Sequence, residues 1–229
     1  MLKLGFCKQP EAEYRILCLG AHSDDIEIGC GGTILWLLET QKNAICHWVV
    51  FSADQQRAHE AHESAKVFLR HAKAKTIVIK NFRDGFFPYT GSELKEYFEQ
   101  LKHELSPDLI LTHYRNDLHQ DHRLIAELTW NTFRDHLVLE YEIPKYDGDF
   151  GSPNVFIHLD ESLCYRKIQY ILENFQSQRQ RRWFEEGTFL SILRLRGLES
   201  NAPGNYAEAF YCRKMVVGSV YQTDQTPND

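Results

Sequence analysis

The sequence predicts an α/β protein, a Rossmann-like three-layer sandwich with a mostly parallel sheet. Short apolar runs alternate with longer amphipathic stretches along much of the chain, which is typical of parallel strands connected by helices. Two of the apolar runs are each followed by a segment rich in histidine and aspartate, and α/β proteins build their sites at the carboxyl ends of such strands. The 229 residues fit one domain, predicted over 1–221, with a disordered tail over 222–229.

The first elements are the most regular. Strands over 15–20 and 45–51 are predicted because both are continuous apolar runs, as in strands that are buried on both faces. Between them a glycine-rich turn opens a helix over 29–40, in which apolar residues recur at helical spacing. A second helix over 57–71 is rich in alanine, and a short strand over 76–79 follows it.

The middle of the chain continues this alternation. Pro107 fixes a turn that leads into an apolar strand. The elements predicted here are an aromatic loop over 82–89, a helix over 92–105, a strand over 108–112, a helix over 121–135 and a strand over 137–142.

Beyond residue 143 prolines and glycines interrupt the pattern. The elements predicted there are a short strand over 155–158, helices over 161–176 and 180–194, and a last strand over 207–217. The sequence contains no internal repeat and no linker that would separate a second domain.

Composition and charge exclude several classes of protein. The net charge of −6 argues against general nucleic-acid binding, and we expect no transmembrane segment because no apolar stretch is long enough to cross a membrane. The N-terminus lacks the pattern of a signal peptide. Six scattered cysteines without a C-x-x-C pair favour free thiols in a reducing compartment, so we expect a cytoplasmic protein. The oligomeric state is left open, a homo-oligomer included.

The two histidine–aspartate segments contain the candidate metal ligands. His22 and Asp25 follow the first strand on one tight loop, and His122 follows the strand over 108–112. We expect the fold to bring these three side chains to a common point. Two imidazoles and a carboxylate suit a catalytic zinc ion, which keeps one position for a water molecule and acidifies it. The sequence therefore predicts a hydrolase that uses metal-activated water.

Other polar residues of the same segments are suited to proton transfer. Asp24 points away from its neighbour in the sequence, so it is free to act as the general base toward that water. His119 lies three residues before His122, and a protonated imidazole there would stabilise an oxyanion and donate a proton to a leaving amine. Asp121 or Asp117 is expected to hydrogen-bond an imidazole and keep it oriented and charged.

A dinucleotide-binding turn is the rival interpretation of the first segment, because Gly29, Gly31 and Gly32 lie close together there. These glycines lie well beyond the end of the strand, and the acidic residues before them would repel a pyrophosphate. We therefore expect the glycines to let the first helix pack closely against the sheet.

The chain resembles the LmbE/PIG-L family of zinc-dependent de-N-acetylases in four segments. The family signature A-H-P-D-D-x-x-x-G-x-G-G corresponds to residues 21–32, and D-x-H-x-D-H corresponds to residues 117–122. Residues 57–65 resemble a family helix that begins R-x-x-E, and residues 206–210 resemble a late A-E-x-F segment. Ser23 stands where the signature has proline, a change that removes no ligand.

This resemblance implies roles for individual residues. The implied metal ligands are His22, Asp25 and His122. The implied catalytic residues are Asp24 as general base, His119 as electrostatic stabiliser and acid, and Asp121 as the charge-relay partner of His119. The implied substrate contacts are Arg57 and, in the loop after the third strand, Asp84.

Together these observations predict an enzyme that uses Zn²⁺ to remove an acetyl group from an N-acetylated amino sugar or glycoconjugate of the GlcNAc type. Two alternatives stay open: a metal-dependent hydrolase of another small amide or carbamoyl substrate on the same site, and a non-catalytic module that binds a sugar or nucleotide. The aromatic residues of the loop over 82–89 are equally compatible with an apolar wall for a sugar ring and with core packing. They are Phe82, Phe86, Phe87 and Tyr89.

Overall fold

One seven-stranded sheet forms the centre of the protein in the computed structural model, which describes residue 5 and residues 11–217. The strands are β1 (Tyr14–His22), β2 (Ala44–Ser52), β3 (Ala74–Ile79), β4 (Leu109–His113), β5 (Leu137–Tyr141), β6 (Val155–Leu159) and β7 (Tyr206–Cys212). The helices are α1 (Asp25–Thr40), α2 (Gln55–Phe68), α3 (Gly91–Glu104), α4 (Gln120–Thr132), α5 (Glu161–Asn174) and α6 (Glu186–Glu199). The predicted tail over 222–229 lies outside the described residues, and the domain bounds 1–221 remain a prediction.

The sheet is mostly parallel, which confirms the predicted fold class. Its strand order is β3-β2-β1-β4-β5-β7-β6, and all neighbours from β3 to β5 are parallel. Strand β7 runs antiparallel to both β5 and β6. The chain moves outward from β1 to β3 and then returns to the other side of β1 to form β4. This reversal places a topological switch point between β1 and β4, where α/β proteins bind their ligands.

Both faces of the sheet are buried, and strand β1 shows how. Successive side chains of a strand point to opposite faces. Ile16 and Cys18 therefore join the hydrophobic core beneath α1, α2, α5 and α6, whereas Leu17 and Leu19 join a second core beneath α3 and α4. Burial on both sides explains why this strand is a continuous apolar run in the sequence.

The glycines of α1 pack closely against their neighbours, which confirms the expectation from the sequence. A Cβ atom on Gly29 would lie 2.1 Å from the ring of Tyr141, and one on Gly32 would lie 2.5 Å from the Leu159 side chain. Such distances are far below van der Waals contact, so no larger residue fits without a shift of the helix.

Three predicted elements differ clearly from the structure. Helix α1 begins at Asp25 rather than residue 29, because the chain turns at Asp24 through a left-handed backbone conformation and enters the helix at once. Helix α6 begins at Glu186 rather than residue 180, because a 3₁₀ turn at Gln176–Gln178 and further turns precede it and bury Phe184. Strand β7 ends at Cys212 rather than residue 217.

Two other expectations concern the described residues. None of their helices combines the length and the apolar character that crossing a membrane requires. Their cysteines are free thiols, as predicted, namely Cys18, Cys30, Cys46, Cys164 and Cys212.

Candidate metal centre

Three side chains converge at the switch point between β1 and β4. His22 ends β1, Asp25 begins α1, and His122 lies in the first turn of α4. His22 Nδ1 is 3.2 Å from His122 Nε2 and 3.4 Å from Asp25 Oδ2, and His122 Nε2 is 3.5 Å from that same oxygen. A tetrahedral zinc ion with bonds of about 2.0–2.1 Å holds its ligand atoms about 3.3–3.4 Å apart. The three atoms therefore have the spacing of a zinc triad.

The outer nitrogens of the two histidines face carboxylates. His122 Nδ1 is 2.9 Å from Asp117 Oδ2, and His22 Nε2 is 3.1 Å from Asp121 Oδ2 and 3.0 Å from Asp84 Oδ1. With a proton on each outer nitrogen, both inner nitrogens present lone pairs toward the carboxylate of Asp25. Converging lone pairs of this kind are stabilised by a cation, and histidines oriented by carboxylates are usual metal ligands. The donor set therefore fits a divalent metal such as zinc.

Charge and burial set the protonation of this cluster without a metal. Burial opposes the charged form of His22, but its hydrogen bonds to Asp121, Asp25 and Asp84 raise its pKa well above the usual value. Burial likewise opposes ionisation of Asp25, but His122 and the other imidazoles hold its pKa well below the ordinary range. The metal-free centre therefore holds a proton that a metal ion has to displace.

Two nearby histidines have lone pairs that are already used. His113 Nε2 accepts the backbone N–H of Ala21 at 2.9 Å, and His119 Nδ1 accepts the backbone N–H of Asp121 at 3.3 Å. Both rings belong to groups whose nitrogen and oxygen atoms lie close enough together to hold a metal, alongside a third group made by His22 with Asp84 and Asp121. In the triad, Asp25 Oδ2 accepts the backbone N–H of His22 at 2.7 Å, and the inner nitrogens of His22 and His122 face this oxygen and each other.

His113 is a site residue that the sequence reasoning missed. It is fully buried, and its ring stacks on that of His122 with centroids 3.9 Å apart. Its Nε2 atom is also 3.3 Å from Asp25 Oδ2, so the ring packs against two members of the triad. The sequence did offer one indication of this residue, because a histidine at the carboxyl end of a buried strand, shortly before the second motif, is well placed for a site.

Asp24 lies beside the triad in a strained conformation. Its φ of +86° is in the left-handed region, which costs a residue with a side chain about 1–3 kcal/mol and is concentrated at functional sites. Burial raises the pKa of Asp24 to about 7, and the guanidinium of Arg57, 3.1 Å from Asp24 Oδ2, opposes that rise. The Arg57 guanidinium also donates to the Ser23 carbonyl, while the Ser23 hydroxyl donates to the Arg57 carbonyl at 3.3 Å. Arg57 therefore fixes the turn that carries Asp24, besides the substrate contact that the resemblance implies.

The structure corrects the expected pairing of Asp121 with His119. The Asp121 carboxylate accepts the backbone N–H groups of Gly85 at 2.7 Å and Phe87 at 3.1 Å, and its remaining contact is with the His22 ring. It lies in the first turn of α4 and points toward the loop after β3, whereas the His119 ring caps the helix. Burial and the neighbouring His122 and His22 lower the pKa of His119, and the charge of Asp121 does not outweigh them. We therefore expect a neutral His119, not a protonated one.

The aromatic loop divides between core and surface. Phe87 is fully buried and Phe82 packs against the same core, whereas Phe86 and Tyr89 are 38% and 81% exposed, with ring centroids 5.8 Å apart. These two exposed rings border a cavity of about 450 Å³, which is also lined by Gln120 of α4. Phe82 and Phe87 therefore pack in the core, whereas Phe86 and Tyr89 form part of the surface beside the candidate metal centre.

The fold and the cluster together define a Rossmann-like α/β protein with a polar site at its switch point, whose donor atoms could hold a metal ion. Residues 17–133 match the PIG-L family, described as GlcNAc-PI de-N-acetylase. The chain belongs to this family of de-N-acetylases, which confirms the resemblance seen in the sequence motifs.

Three individual proteins that are similar to this chain have low sequence identity to it. An Escherichia coli K12 protein described as the uncharacterized deacetylase YaiS is 27% identical over 162 residues, covering 67% of this chain and 86% of its own. The N,N'-diacetylchitobiose deacetylase of Pyrococcus horikoshii shares the fold with a TM-score of 0.63 and 20% identity over 86% of this chain and 83% of that one. GalB of Pseudomonas putida KT2440, a 4-carboxy-2-hydroxymuconate hydratase, has a TM-score of 0.68 and 16% identity over 90% and 98%. Because this fold also carries a hydratase, the fold alone does not fix the chemistry.

Proposed function

We propose that this protein is a zinc-dependent hydrolase that removes the acetyl group from an N-acetylated amino sugar or glycoconjugate. Membership of the PIG-L family supports de-N-acetylation, and the printed name of the Pyrococcus relative supports an amino-sugar substrate. The observation that carries the proposal is the convergence of His22 Nδ1, His122 Nε2 and Asp25 Oδ2, with the Asp24 carboxylate beside them.

The proposed ligands of the metal are His22, Asp25 and His122. When bound there, zinc would acidify a water molecule and polarise the carbonyl of the acetamide. Asp121 and Asp117 hold the two imidazoles from the outside, so that each ring presents the correct nitrogen.

Asp24 is the proposed proton carrier. As a carboxylate it accepts a proton from the attacking water, and it then returns that proton to the nitrogen as the C–N bond breaks. Arg57 keeps this carboxyl group in place through the contact at 3.1 Å. Acetate and a free amine are the products.

His119 is the proposed oxyanion donor. Because its Nδ1 atom accepts the Asp121 backbone N–H, the neutral ring carries its proton on Nε2. That N–H donates to the oxygen of the tetrahedral intermediate without any need for an imidazolium ion. The proton for the leaving amine then comes from Asp24.

Exposed groups around the centre suit a sugar. The Asp84 side chain is 75% exposed apart from its contact with His22 and is available to hydroxyl groups. Phe86 and Tyr89 offer apolar faces for a sugar ring. The free cysteines favour a reducing compartment such as the cytoplasm as the place of action.

Acetate release from a panel of N-acetylated sugars and glycoconjugates tests the proposal. We expect the zinc-loaded protein to release acetate, and Asp24→Asn to keep its zinc while kcat falls by roughly 10²–10⁴, the range of general acid–base catalysis. The same panel should include carbamoyl and other small amide compounds. Turnover confined to those compounds, or sugar binding unaffected by Asp24→Asn with no turnover at all, would contradict the proposed activity.

A further inference from the structure

A largely buried lysine outside both motifs reaches the candidate metal centre. Lys145 lies between β5 and β6, beyond the residues that match the family, and its side chain is only 13% exposed. Its ammonium group is 2.9 Å from Asp117 Oδ2, the same oxygen that lies 2.9 Å from His122 Nδ1. We propose that Lys145 is a positioning residue, which holds the Asp117 carboxylate against the outer nitrogen of His122 and thereby strengthens metal binding.

The contacts of Asp117 explain why it needs this support. Its Oδ1 atom accepts the backbone N–H of His119 at 2.8 Å, and its Oδ2 atom is shared between His122 and Lys145. The carboxylate is almost completely buried. A buried carboxylate is stable only when charges and hydrogen bonds compensate it, and Lys145 provides the full positive charge among these partners.

A second carboxylate makes the lysine charge more important. Lys145 Nζ is also 2.5 Å from Asp149 Oδ2, which accepts the backbone N–H of Leu118 at 2.7 Å. The carboxylates of Asp117 and Asp149 thus both contact the ammonium group of Lys145. Without that charge the two carboxylates would repel each other, and Asp117 would move away from its present position. A displaced Asp117 no longer accepts the N–H of His122 Nδ1, and the ring loses both its orientation and its strength as a ligand.

Metal affinity tests this inference directly. Zinc affinity is measured on metal-stripped protein by competition with a chromophoric chelator, and the cobalt-substituted protein gives a ligand-field spectrum that reports the geometry of the ligands. We expect Lys145→Met to weaken zinc binding about 10–100-fold and to change the cobalt spectrum, as for other partners of metal-ligating histidines. Lys95→Met is the control, because it removes a lysine of α3 that contacts Glu99 and Thr132, and it should leave both readings unchanged.

A double substitution tests whether Lys145 acts through Asp117. If it does, Lys145→Met combined with Asp117→Asn binds zinc no more weakly than Asp117→Asn alone. Wild-type affinity and spectrum in Lys145→Met, or full additivity in the double variant, would overturn the inference. Lys145→Gln keeps a hydrogen-bond donor without the charge and, if Lys145→Met does not fold, takes its place with the same expected loss.

The inference rests on the proposed function only in using His122 as a metal ligand. His122→Ala is therefore measured alongside, and unchanged zinc binding in that variant would remove the proposed metal site and this inference with it. A failure to release acetate from any sugar would contradict the proposed activity. It would not change the test of Lys145, because zinc affinity is measured without turnover.

Discussion

At the scale of single residues, the position of each proton decides what the centre can do. With their outer nitrogens protonated, His22 and His122 each donate to a carboxylate, which turns a lone pair toward Asp25. His119 is oriented differently, because a backbone N–H occupies its Nδ1 atom. Three imidazoles a few ångströms apart are therefore oriented differently, which suits the proposed roles of two as metal ligands and one as a hydrogen-bond donor.

Substitution of His119 by glutamine distinguishes a neutral hydrogen-bond donor from a protonated acid at this position. A glutamine keeps an N–H donor but has no titrating ring, whereas alanine keeps neither. We expect His119→Ala to lower kcat by about 10²–10³, the usual cost of a lost oxyanion donor, and His119→Gln to recover a large part of that loss. Zinc content should stay at the wild-type level in both. Equal losses in the two variants, together with a missing basic limb in the pH profile, would instead show that His119 acts as a protonated acid.

The sequence predicts the members of this centre better than their partners. His22, Asp25 and His122 belong to two compact motifs, so the resemblance identifies them and the fold brings them together. The partner of Asp121 could not be predicted, because the side-chain direction in the first turn of α4 depends on the loop that packs against it. Lys145 gave no signal at all, since a lone lysine in an irregular stretch is most often exposed.

At the scale of elements, helix α1 links the centre to the far side of the molecule. The carboxylate of Glu208 on β7 accepts the backbone N–H groups of Gly32 at 2.8 Å and Thr33 at 2.6 Å. Lys167 of α5 pairs with that carboxylate and donates to the Ile28 carbonyl at 2.6 Å. Side chains from two other elements thus bond to the backbone in the middle of α1. This gives a structural reason for the late A-E-x-F segment, which lies outside the candidate metal centre.

Replacing glycines in two helices tests the packing of α1. Gly29→Ala should lower the free energy of unfolding by about 1–3 kcal/mol, because its methyl group would lie 2.1 Å from a ring atom of Tyr141. Gly187→Ala in α6 is the matched control, since the nearest atom is 3.8 Å away and alanine should stabilise the helix by about 0.4–1 kcal/mol. Urea denaturation of both variants measures the difference. Similar effects at the two positions would mean that α1 adjusts easily and that its glycines are not needed for close packing.

The elements with strong periodicity were the ones that the sequence predicted well. Buried strands such as β1 and β2 have little freedom, because their apolar runs fit only a sheet covered on both sides. The start of α6 was wrong, because the turns before it are held by the packing of Phe184 and by local hydrogen bonds that no periodic pattern reveals. Helix α1 was predicted too short, since its first turn is occupied by the site motif and carries polar side chains that are buried.

At the scale of the whole molecule, the doubly wound topology is what makes the centre. The two motifs are far apart in the sequence, but β1 and β4 are parallel neighbours with Ile16 opposite Leu109 and Cys18 opposite Leu111. Their carboxyl ends therefore open into the same crevice, where the chain reverses its direction of winding. This arrangement could be predicted from the sequence, because alternating strands and helices permit few other topologies.

Two histidines remote from the centre should make stability depend on pH. Burial lowers the pKa of His47 on β2, despite the opposing charge of Glu104, and burial likewise lowers the pKa of His136 before β5. The folded protein therefore prefers both rings neutral, while in the unfolded chain they take up protons below about pH 6.5. Since the unfolded state then binds more protons, their contribution to stability is fully present above that pH and is lost as the pH falls below it.

Removing these two rings should therefore flatten the acid side of the stability profile. We expect the fall in melting temperature from about pH 7.5 to about pH 5.5 to be smaller for His47→Asn combined with His136→Asn than for the wild type. Calorimetry in the presence of a chelator measures this, because metal loss then contributes equally to every sample. His59→Asn, which removes an exposed histidine of α2, controls for the loss of a histidine as such and should keep the wild-type slope. A double variant with an unchanged slope would place the acid sensitivity elsewhere, in the buried imidazoles of the metal centre.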